Sequence, residues 1–441
     1  MLSDYRKYYP LLQRYLYFDS AATALKPLPV IENLIRFYKY YDSNVYRGFH
    51  IPGAQATSLY DEARKKVADL LHTSPRNIIF TTNTTDGLHK LSHANLGKVL
   101  LSPGMHHSSL LPFLKFPHYF VKVKENGLID LADLLAKLDM VDTVIVDHVS
   151  NVTGAVQPIE EIAENAKKKG KIVIVDGAQS VPHMEINVEK IGIDALAFSG
   201  HKMGAPYGSG ALYVSDRMIQ LMEPIPGGES IEDVSWNGND IVIKYAEPPH
   251  CFEPGTPSIA NQIGLGFAID FIKPALPYIK SHEHDLLQIF LDHFKEKRIR
   301  YLGPELDERS SLVAIAINDG ERVAYKLAQY DVCIRYGYHC AEPLHQILNS
   351  PPSLRFSLYL YNTEDEVREV LYILDRIIDG KIPKKEAVIY PEPFFSSVHS
   401  SRIFDPCERC FLSAACKTPY DALRMCPYIP NFVRMRWDHE D

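Results

Sequence analysis

Short apolar runs that end in polar clusters recur between residues 75 and 215. The five instances are NIIFTTNTT, KVLLSPGMHH, DTVIVDHVSN, KIVIVDGAQS and IDALAFSGHK. Continuous runs of Ile, Val, Leu and Ala are typical of strands covered on both faces, as in a parallel sheet flanked by helices. The pattern predicts an α/β domain whose polar clusters meet beyond the carboxyl ends of its strands.

Helical patterns accompany these runs. PIEEIAENAKKKG predicts a helix with Pro158 at its start, acidic residues early, lysines late and Gly170 at its end. TEDEVREVLYILDRII predicts another, with Thr363 and Glu366 at the spacing of a capping box. With the alternating strand SLRFSLYLY, this later region predicts a smaller α+β domain. The apolar face of the later helix comprises Val367, Val370, Leu371, Leu374, Ile377 and Ile378.

A chain of 441 residues is long enough for two or three domains. The net charge of −8 argues against a nucleic-acid partner, because phosphate binding needs a surplus of Lys and Arg. Tyrosines and charges interrupt the N-terminus, and no later apolar run approaches the ~20 residues that span a bilayer. We therefore expect a cytoplasmic protein with no membrane contact.

Lys202 follows the last of the five runs, in SGHKMGAPYGSG. A lysine attacks carbonyl groups when its surroundings lower its pKa, and a Schiff base with pyridoxal phosphate (PLP) is a common use of such a residue. Taken alone, Lys202 is better explained as a surface lysine. Asp176, however, ends another run and could keep a pyridine nitrogen protonated. Candidates for a phosphate site are Thr84, Thr85, Ser199 and His201, and His106 is a candidate for stacking on an aromatic cofactor.

Nine ordered segments make the chain similar to one family. They are YFDSAATALKP, VYRGFHIPGAQAT, TTNTTDGLH, SNVTGAVQPI, VDGAQSVPH, FSGHKMGAPYGSG, FEPGTPSIANQIGLGFAI, IRYGYHCAEPLH and SLRFSLYLYNTEDEV. Through these segments the chain resembles the PLP-dependent cysteine desulfurases of the Suf type (group II), fold type I enzymes of aminotransferase class V. The resemblance implies a homodimer and a large α/β domain with a mostly parallel seven-stranded sheet flanked by helices. We expect boundaries of 1–30 for a segment joining the small domain, 31–280 for the large PLP-binding domain, 281–380 for the small α+β domain with the cysteine loop, and 381–441 for a linker and Cys-rich metal-binding tail.

The resemblance also assigns roles to residues at matching positions. Lys202 would hold the cofactor covalently, Asp176 would pair with its ring nitrogen, Gln179 would bind its phenolic oxygen, and His106 would stack on its ring. Thr84, Thr85, Ser199 and His201 would hold the phosphate, and Thr256 would reach the phosphate of the neighbouring subunit. Arg355 would bind the substrate carboxylate, with Asn151 close by in the site.

Cys340 matches the sulfur acceptor of the family. The resemblance implies that its thiolate takes sulfur from L-cysteine, which leaves alanine and a persulfide for delivery to a protein acceptor or iron–sulfur scaffold. We expect Arg335 and His339 to favour the thiolate. A minor alternative is that Cys340 is a packing thiol, as we expect of Cys251 and Cys333.

Four positions depart from the family pattern. Tyr46 and Tyr338 stand where the family has His, so the proton transfers assigned to those imidazoles do not carry over to this chain. Asn83 replaces a Gly before the Thr pair, and Met105 replaces a Glu before His106. These changes suggest a divergent member whose substrate or sulfur acceptor differs.

Beyond the resemblance, the C-terminal segment carries four cysteines at C-x2-C-x5-C-x9-C spacing. Four thiolates suit an iron–sulfur cluster or a tetrahedral zinc ion. We favour the cluster, because a desulfurase makes the sulfide from which clusters are built; zinc and sulfur-relay thiols are the alternatives. The four residues are Cys407, Cys410, Cys416 and Cys426.

Other activities also remain open. A selenocysteine lyase would use the same site on C–Se bonds, and a class V transaminase or epimerase would use the cofactor without a persulfide. A non-catalytic metal or iron–sulfur carrier on a desulfurase fold is a third reading. The presence of both Lys202 and Cys340 argues against this last one.

Overall fold

The computed structural model describes residues 2–381. The linker and the four tail cysteines Cys407, Cys410, Cys416 and Cys426 lie outside these residues. The helices are α1 Leu28–Tyr40, α2 Ile51–Leu71, α3 Thr84–Leu91, α4 His107–Leu110, α5 Leu131–Lys137, α6 Ile159–Lys168, α7 Val188–Ile191, α8 Asp216–Ile219, α9 Ile259–Ile272, α10 Leu276–Glu296, α11 Gly320–Gln329, α12 Glu342–Ile347 and α13 Glu364–Ile378. The strands are β1 Leu16–Tyr17, β2 Ile78–Thr81, β3 Val99–Leu101, β4 His118–Phe120, β5 Thr143–Asp147, β6 Ile172–Asp176, β7 Ala195–Ser199, β8 Gly210–Val214, β9 Ile231–Trp236, β10 Ile241–Tyr245, β11 Tyr301–Leu302, β12 Leu312–Ile315, β13 Val332–Cys333, β14 Arg335–Gly337 and β15 Ser353–Ser357.

The five apolar runs form strands of one seven-stranded sheet, in the order β2-β8-β7-β6-β5-β3-β4. Only β8 runs against its neighbours, so the sheet is mostly parallel as predicted. Successive residues of β5 enter opposite cores: Val144 and Val146 pack into one apolar cluster and Ile145 into the other. The sheet is therefore covered on both faces, which explains why its strands lack polar alternation.

A second, antiparallel sheet has the order β11-β12-β15-β14 and packs with α10, α11 and α13 in a separate core. The capping box of Thr363 and Glu366 is present at the start of α13. Ile378, the last residue of the predicted apolar face, is 43% exposed. Periodicity gives the direction of a side chain but not whether a partner lies there, and Ile378 is the last residue of its helix.

The N-terminal segment contacts this second sheet. β1 pairs with β13, and the backbone N–H of Ser357 donates to the carbonyl of Phe18 at 2.8 Å. Phe18 is fully buried in the core of the second sheet. The next residue, Asp19, is thereby held beside β15.

Parallel strands place their carboxyl ends at one edge of the large sheet. Asp147 of β5 is in register with Asp176 of β6, and Asp176 with Ala197 of β7, two residues before Ser199. The polar residues that follow the apolar runs therefore gather at this edge. Within residues 2–381, no helix is both long enough and apolar enough to cross a bilayer.

Candidate active site

A cavity of about 290 Å³ opens at the carboxyl edge of the large sheet. It is lined by residues from both ends of the described chain, from Ala21 to Arg355. The sequence-predicted residues that it brings together are Thr84, Thr85, His106, Asn151, Asp176, Gln179, Ser199, His201, Lys202, Cys340 and Arg355. Thr256 is not among the lining residues and is exposed elsewhere on the chain.

Hydroxyl groups and a helix N-terminus form one end of the cavity. Asn83 caps α3 by accepting a hydrogen bond from the Asp86 N–H at 2.9 Å, which explains this departure from the family pattern. Ser199 Oγ accepts from the Thr84 N–H at 2.8 Å and lies 2.7 Å from Thr84 Oγ1. Hydroxyls at the positive end of a helix dipole make a suitable site for a phosphate group.

The amine of Lys202 lies deep in the site, within the electrostatic reach of Asp176 and Cys340. Burial is the main cause that lowers its pKa to about 8, while the charge of Asp176 acts in the opposite direction. A substantial fraction of the amine is therefore neutral, and so nucleophilic, near neutral pH.

His106 is held as a neutral ring. Its Nδ1 accepts a hydrogen bond from the Ser108 N–H at 3.1 Å, which leaves the proton on Nε2. Burial lowers the pKa of His106 to about 4. His201 is neutral for the same reason, because burial and the nearby Lys202 lower its pKa to about 4.

Gln179 provides a direct test of whether the cavity suits a polar ligand such as PLP. One amide atom is used, since Nε2 donates to the Ala21 carbonyl at 2.8 Å. The other, Oε1, is buried without a partner in a residue that lines the cavity. An unsatisfied buried polar atom is costly unless a ligand or water pairs with it. Together with the hydroxyls of Thr84 and Ser199 and the side chains of Asp176 and Lys202, this atom fits a small, polar, anionic cofactor.

Two arginines form the opposite end of the cavity. Arg355 of β15 is directly opposite Arg335 of β14, and Asp19 bridges them at 3.3 Å and 3.5 Å. Arg355 also donates to the Asn151 carbonyl at 2.9 Å, while its Nε is buried without a partner. One carboxylate beside two guanidinium groups leaves a net positive charge, which suits an amino-acid carboxylate.

Cys340 lies on the loop that follows β14, and its side chain is exposed at the cavity. Two contacts hold this loop: the His107 N–H donates to the Cys340 carbonyl at 2.9 Å, and Asn151 Nδ2 donates to the His339 carbonyl at 2.7 Å. His339 and Cys340 both adopt left-handed backbone angles, with φ of 55° and 58°. Such strain persists only where surrounding contacts impose it and is frequent at functional loops.

The charge expected of His339 is absent. Burial, followed by the charge of Arg355, lowers the pKa of His339 to about 2, so its ring is neutral. Positive charge near Cys340 comes instead from Lys202 and Arg355, each of which interacts electrostatically with the Cys340 side chain. A buried imidazole beside arginines is neutral for reasons that adjacency in sequence does not reveal.

The other two described cysteines differ from Cys340. Burial raises the pKa of Cys251 and that of Cys333 to about 11. Neither lines the cavity. Their thiols are therefore predominantly protonated and unreactive near neutral pH.

The two tyrosines that replace histidines lie outside the cavity lining. Tyr46 Oη donates to Asp61 at 3.0 Å and lines a different, more open hollow along α2. Tyr338 is 39% exposed and packs edge-on against His345. Met105, the fourth departure, is fully buried in the core.

Sequence reasoning missed three residues of the site. Asp19 lies in YFDSAAT, but only the fold brings it to the arginines of the second sheet. Ser108 Oγ lies 2.8 Å from Thr85 Oγ1 at the hydroxyl end. Asp147 ends the run VIVD just as Asp176 ends IVIVD, and this shared position was the signal that could have identified it.

The chain is also similar to known proteins. The profile of the aminotransferase class-V family matches residues 16–370. A probable cysteine desulfurase of Halalkalibacterium halodurans is 38% identical over 82% of this chain and 95% of its own. Another, from Pyrococcus abyssi, is 37% identical over 85% of this chain and 97% of its own. The apo structure of a cysteine desulfurase from Thermococcus onnurineus superposes with a TM-score of 0.82 at 35% identity, covering 86% of this chain and 98% of its own.

Proposed function

Because this chain belongs to the aminotransferase class-V family of PLP-dependent enzymes, we propose that it is a cysteine desulfurase acting on L-cysteine. One observation carries the proposal: a single cavity contains Lys202, Asp176, Arg355 and an exposed thiol, Cys340. A transaminase or epimerase has no need of a thiol at this point.

In this proposal the cofactor is bound by residues that line the cavity. The hydroxyls of Thr84, Thr85 and Ser199, with His201, would hold the phosphate of PLP, and Lys202 would bind it covalently. Asp176 would pair with the ring nitrogen, His106 would cover the ring, and Gln179 would bind the phenolic oxygen. When bound, PLP supplies an electron sink that weakens bonds at the substrate's α-carbon and β-carbon.

Cys340 carries out the sulfur transfer. Its thiolate forms an S–S bond with the substrate sulfur while the substrate C–S bond breaks. The electron pair of that bond remains with the substrate, which takes up a proton and leaves as alanine. The protein retains a persulfide on Cys340, and no external oxidant or reductant is required. Because Cys340 is exposed, a protein acceptor or iron–sulfur scaffold can receive the sulfur.

The proposal is tested by incubating PLP-loaded protein with L-cysteine and measuring alanine together with protein-bound sulfur. Equal amounts of the two products are expected in a single turnover. Alanine formed from L-selenocysteine but not from L-cysteine would instead identify a selenocysteine lyase. A keto acid or D-amino acid product would identify a transaminase or an epimerase.

Arg355→Lys is expected to raise the KM for L-cysteine about 10-fold to 100-fold, with a smaller change in kcat. Arg355 offers a fixed guanidinium fork, and lysine offers only a point charge that cannot reproduce the contacts to Asp19 and Asn151. Steady-state kinetics measures the split between the two constants. The visible absorption of bound PLP should be unchanged, and an unaltered KM would show that the substrate carboxylate binds elsewhere.

The homodimer is also proposed, on two observations. Cross-strand pairs on one face of the β9–β10 hairpin, Trp236 with Ile241 and Val234 with Ile243, are 43% to 64% exposed. Exposed apolar patches of this kind mark protein interfaces. Thr256 is exposed and does not line its own cavity, as expected of a residue that serves a neighbouring subunit. Sedimentation analysis should give a mass of twice that of the chain.

We propose that the tail cysteines Cys407, Cys410, Cys416 and Cys426 hold an iron–sulfur cluster, on the basis of their spacing and of the sulfide that a desulfurase makes. Iron and zinc analysis of anaerobically purified protein distinguishes the two metals, and a protein free of both would leave the thiols as a sulfur relay. We also propose a cytoplasmic location, because a reducing compartment keeps the catalytic thiol free.

A further inference from the structure

The function proposed above uses one carboxyl group beside the ring nitrogen of PLP, but the cavity contains two. Asp147 ends β5 and Asp176 ends β6, and the two residues are direct partners in the parallel register. Residues in register on adjacent strands point to the same face of a sheet. Both residues line the cavity, and each is only 6% exposed.

Asp147 has little to stabilise a negative charge. Among the described residues, its ionisation responds only to Asp176 and to its own backbone N–H. Asp176, in contrast, accepts a hydrogen bond from the Ala178 N–H at 2.9 Å. A buried carboxylate with no counter-ion and only its own backbone N–H as a donor is expensive, so its protonated form is favoured.

The surroundings supply no close cation that changes this. Titratable groups that share the cavity with Asp147 include Asp176 on β6, Lys202 after β7 and His106 at the start of α4, and His148 is next in the chain. Burial keeps both imidazoles neutral, since it lowers the pKa of His106 and that of His148 to about 4. Burial, and then the negative charge of Asp176, raises the pKa of Asp147 to about 7.

We propose that the carboxyl of Asp147 forms a pair with that of Asp176, and that ionisation of Asp147 tunes the charge of bound PLP. Asp147 is then a positioning residue that acts on the cofactor through Asp176. The inference rests on the proposed function, because it requires PLP in the cavity. When Asp147 ionises, the added negative charge favours protonation of every basic group of the cofactor site.

Two variants separate charge from hydrogen bonding. Asp147→Asn keeps the shape and a donor to Asp176 but cannot ionise, and Asp147→Ala removes both. Asp194→Asn is the matched control, since Asp194 is a mostly buried acid at the opposite end of the same sheet, bonded to the Val173 N–H at 2.9 Å. The PLP-loaded proteins are titrated from about pH 6 to about pH 9 while the visible absorption of the cofactor is recorded.

The wild-type titration should be broader than a one-proton curve, because two coupled groups release protons over the same range. Both Asp147 variants should give one-proton curves with midpoints lower by about half a pH unit to one unit, since neither can become an anion. The control should match the wild type. Unchanged midpoints and curve shapes in both Asp147 variants would overturn the proposal and leave Asp147 a purely structural acid.

An infrared measurement checks the acid independently of the cofactor. The wild type minus Asp147→Asn difference spectrum should show the carbonyl stretch of a protonated carboxylic acid below about pH 7, and the band should disappear above it. Its absence at low pH would refute a neutral Asp147 even if PLP binds. Failure of the proposed function would look different: no visible cofactor band or no alanine, with the infrared band still present.

Discussion

Replacing Cys340 by serine is expected to abolish sulfur transfer from L-cysteine, with a loss on the order of 1,000-fold or more, while the protein keeps its cofactor. Serine has nearly the same shape, so the loop and its contact to His107 should survive. Its hydroxyl is un-ionised near neutral pH and cannot form the S–S bond. Protein-bound sulfur and alanine, measured after a single turnover, report the loss.

Cys333→Ser provides the matched control for this variant. Cys333 lies only a few residues earlier, but burial raises its pKa to about 11 and it does not line the cavity. This variant should transfer sulfur at close to the wild-type rate. A Cys340→Ser protein that still accumulates bound sulfur at that rate would show that another group accepts it.

Lys202→Ala is expected to eliminate both the visible absorption band of covalently bound PLP and turnover of L-cysteine, again by on the order of 1,000-fold or more. The amine that captures the aldehyde is lost, and the remaining contacts hold PLP only reversibly.

In the wild type, capture of PLP by cofactor-free protein should accelerate as pH rises and level off above about 8, where the Lys202 amine is mostly neutral. Stopped-flow absorbance measures both the visible band and the rate at which the protein captures PLP.

Lys26 offers a stringent comparison for Lys202. Burial lowers its pKa to about 8 as well, yet its amine is bonded to Thr23 Oγ1 and the Ala24 carbonyl at 2.8 Å and does not line the cavity. Lys26→Met should therefore retain the visible band. A band that persists in Lys202→Ala and vanishes in Lys26→Met would reverse the assignment.

The large sheet could be predicted from the sequence because its strands are buried on both faces. Runs such as VIVD and IVIVD carry no polar alternation, and the two cores that receive Val144 and Ile145 account for that pattern. The resemblance to cysteine desulfurases, drawn from nine ordered motifs, is confirmed by relatives that match over most of the chain. The motifs also predicted most of the residues that line the cavity, although the role of each stays a prediction.

Other features depend on distances that the sequence does not contain. Asp19 reaches Arg335 and Arg355 only because β1 and the residues after it pack beside the second sheet. The neutral state of His339 follows from burial next to Arg355, and sequence adjacency to Cys340 suggested the opposite. Ile378 shows the same limit, since its position on the helix is correct but no core lies against it.

The most direct test of the account locates the sulfur itself. PLP-loaded wild-type protein is given one equivalent of L-cysteine labelled at sulfur, trapped with an alkylating reagent and mapped peptide by peptide. The account predicts one labelled sulfur on the peptide that contains Cys340 and none on the peptides of Cys251 and Cys333. Label on either of those cysteines, or alanine released with no label on Cys340, would contradict it.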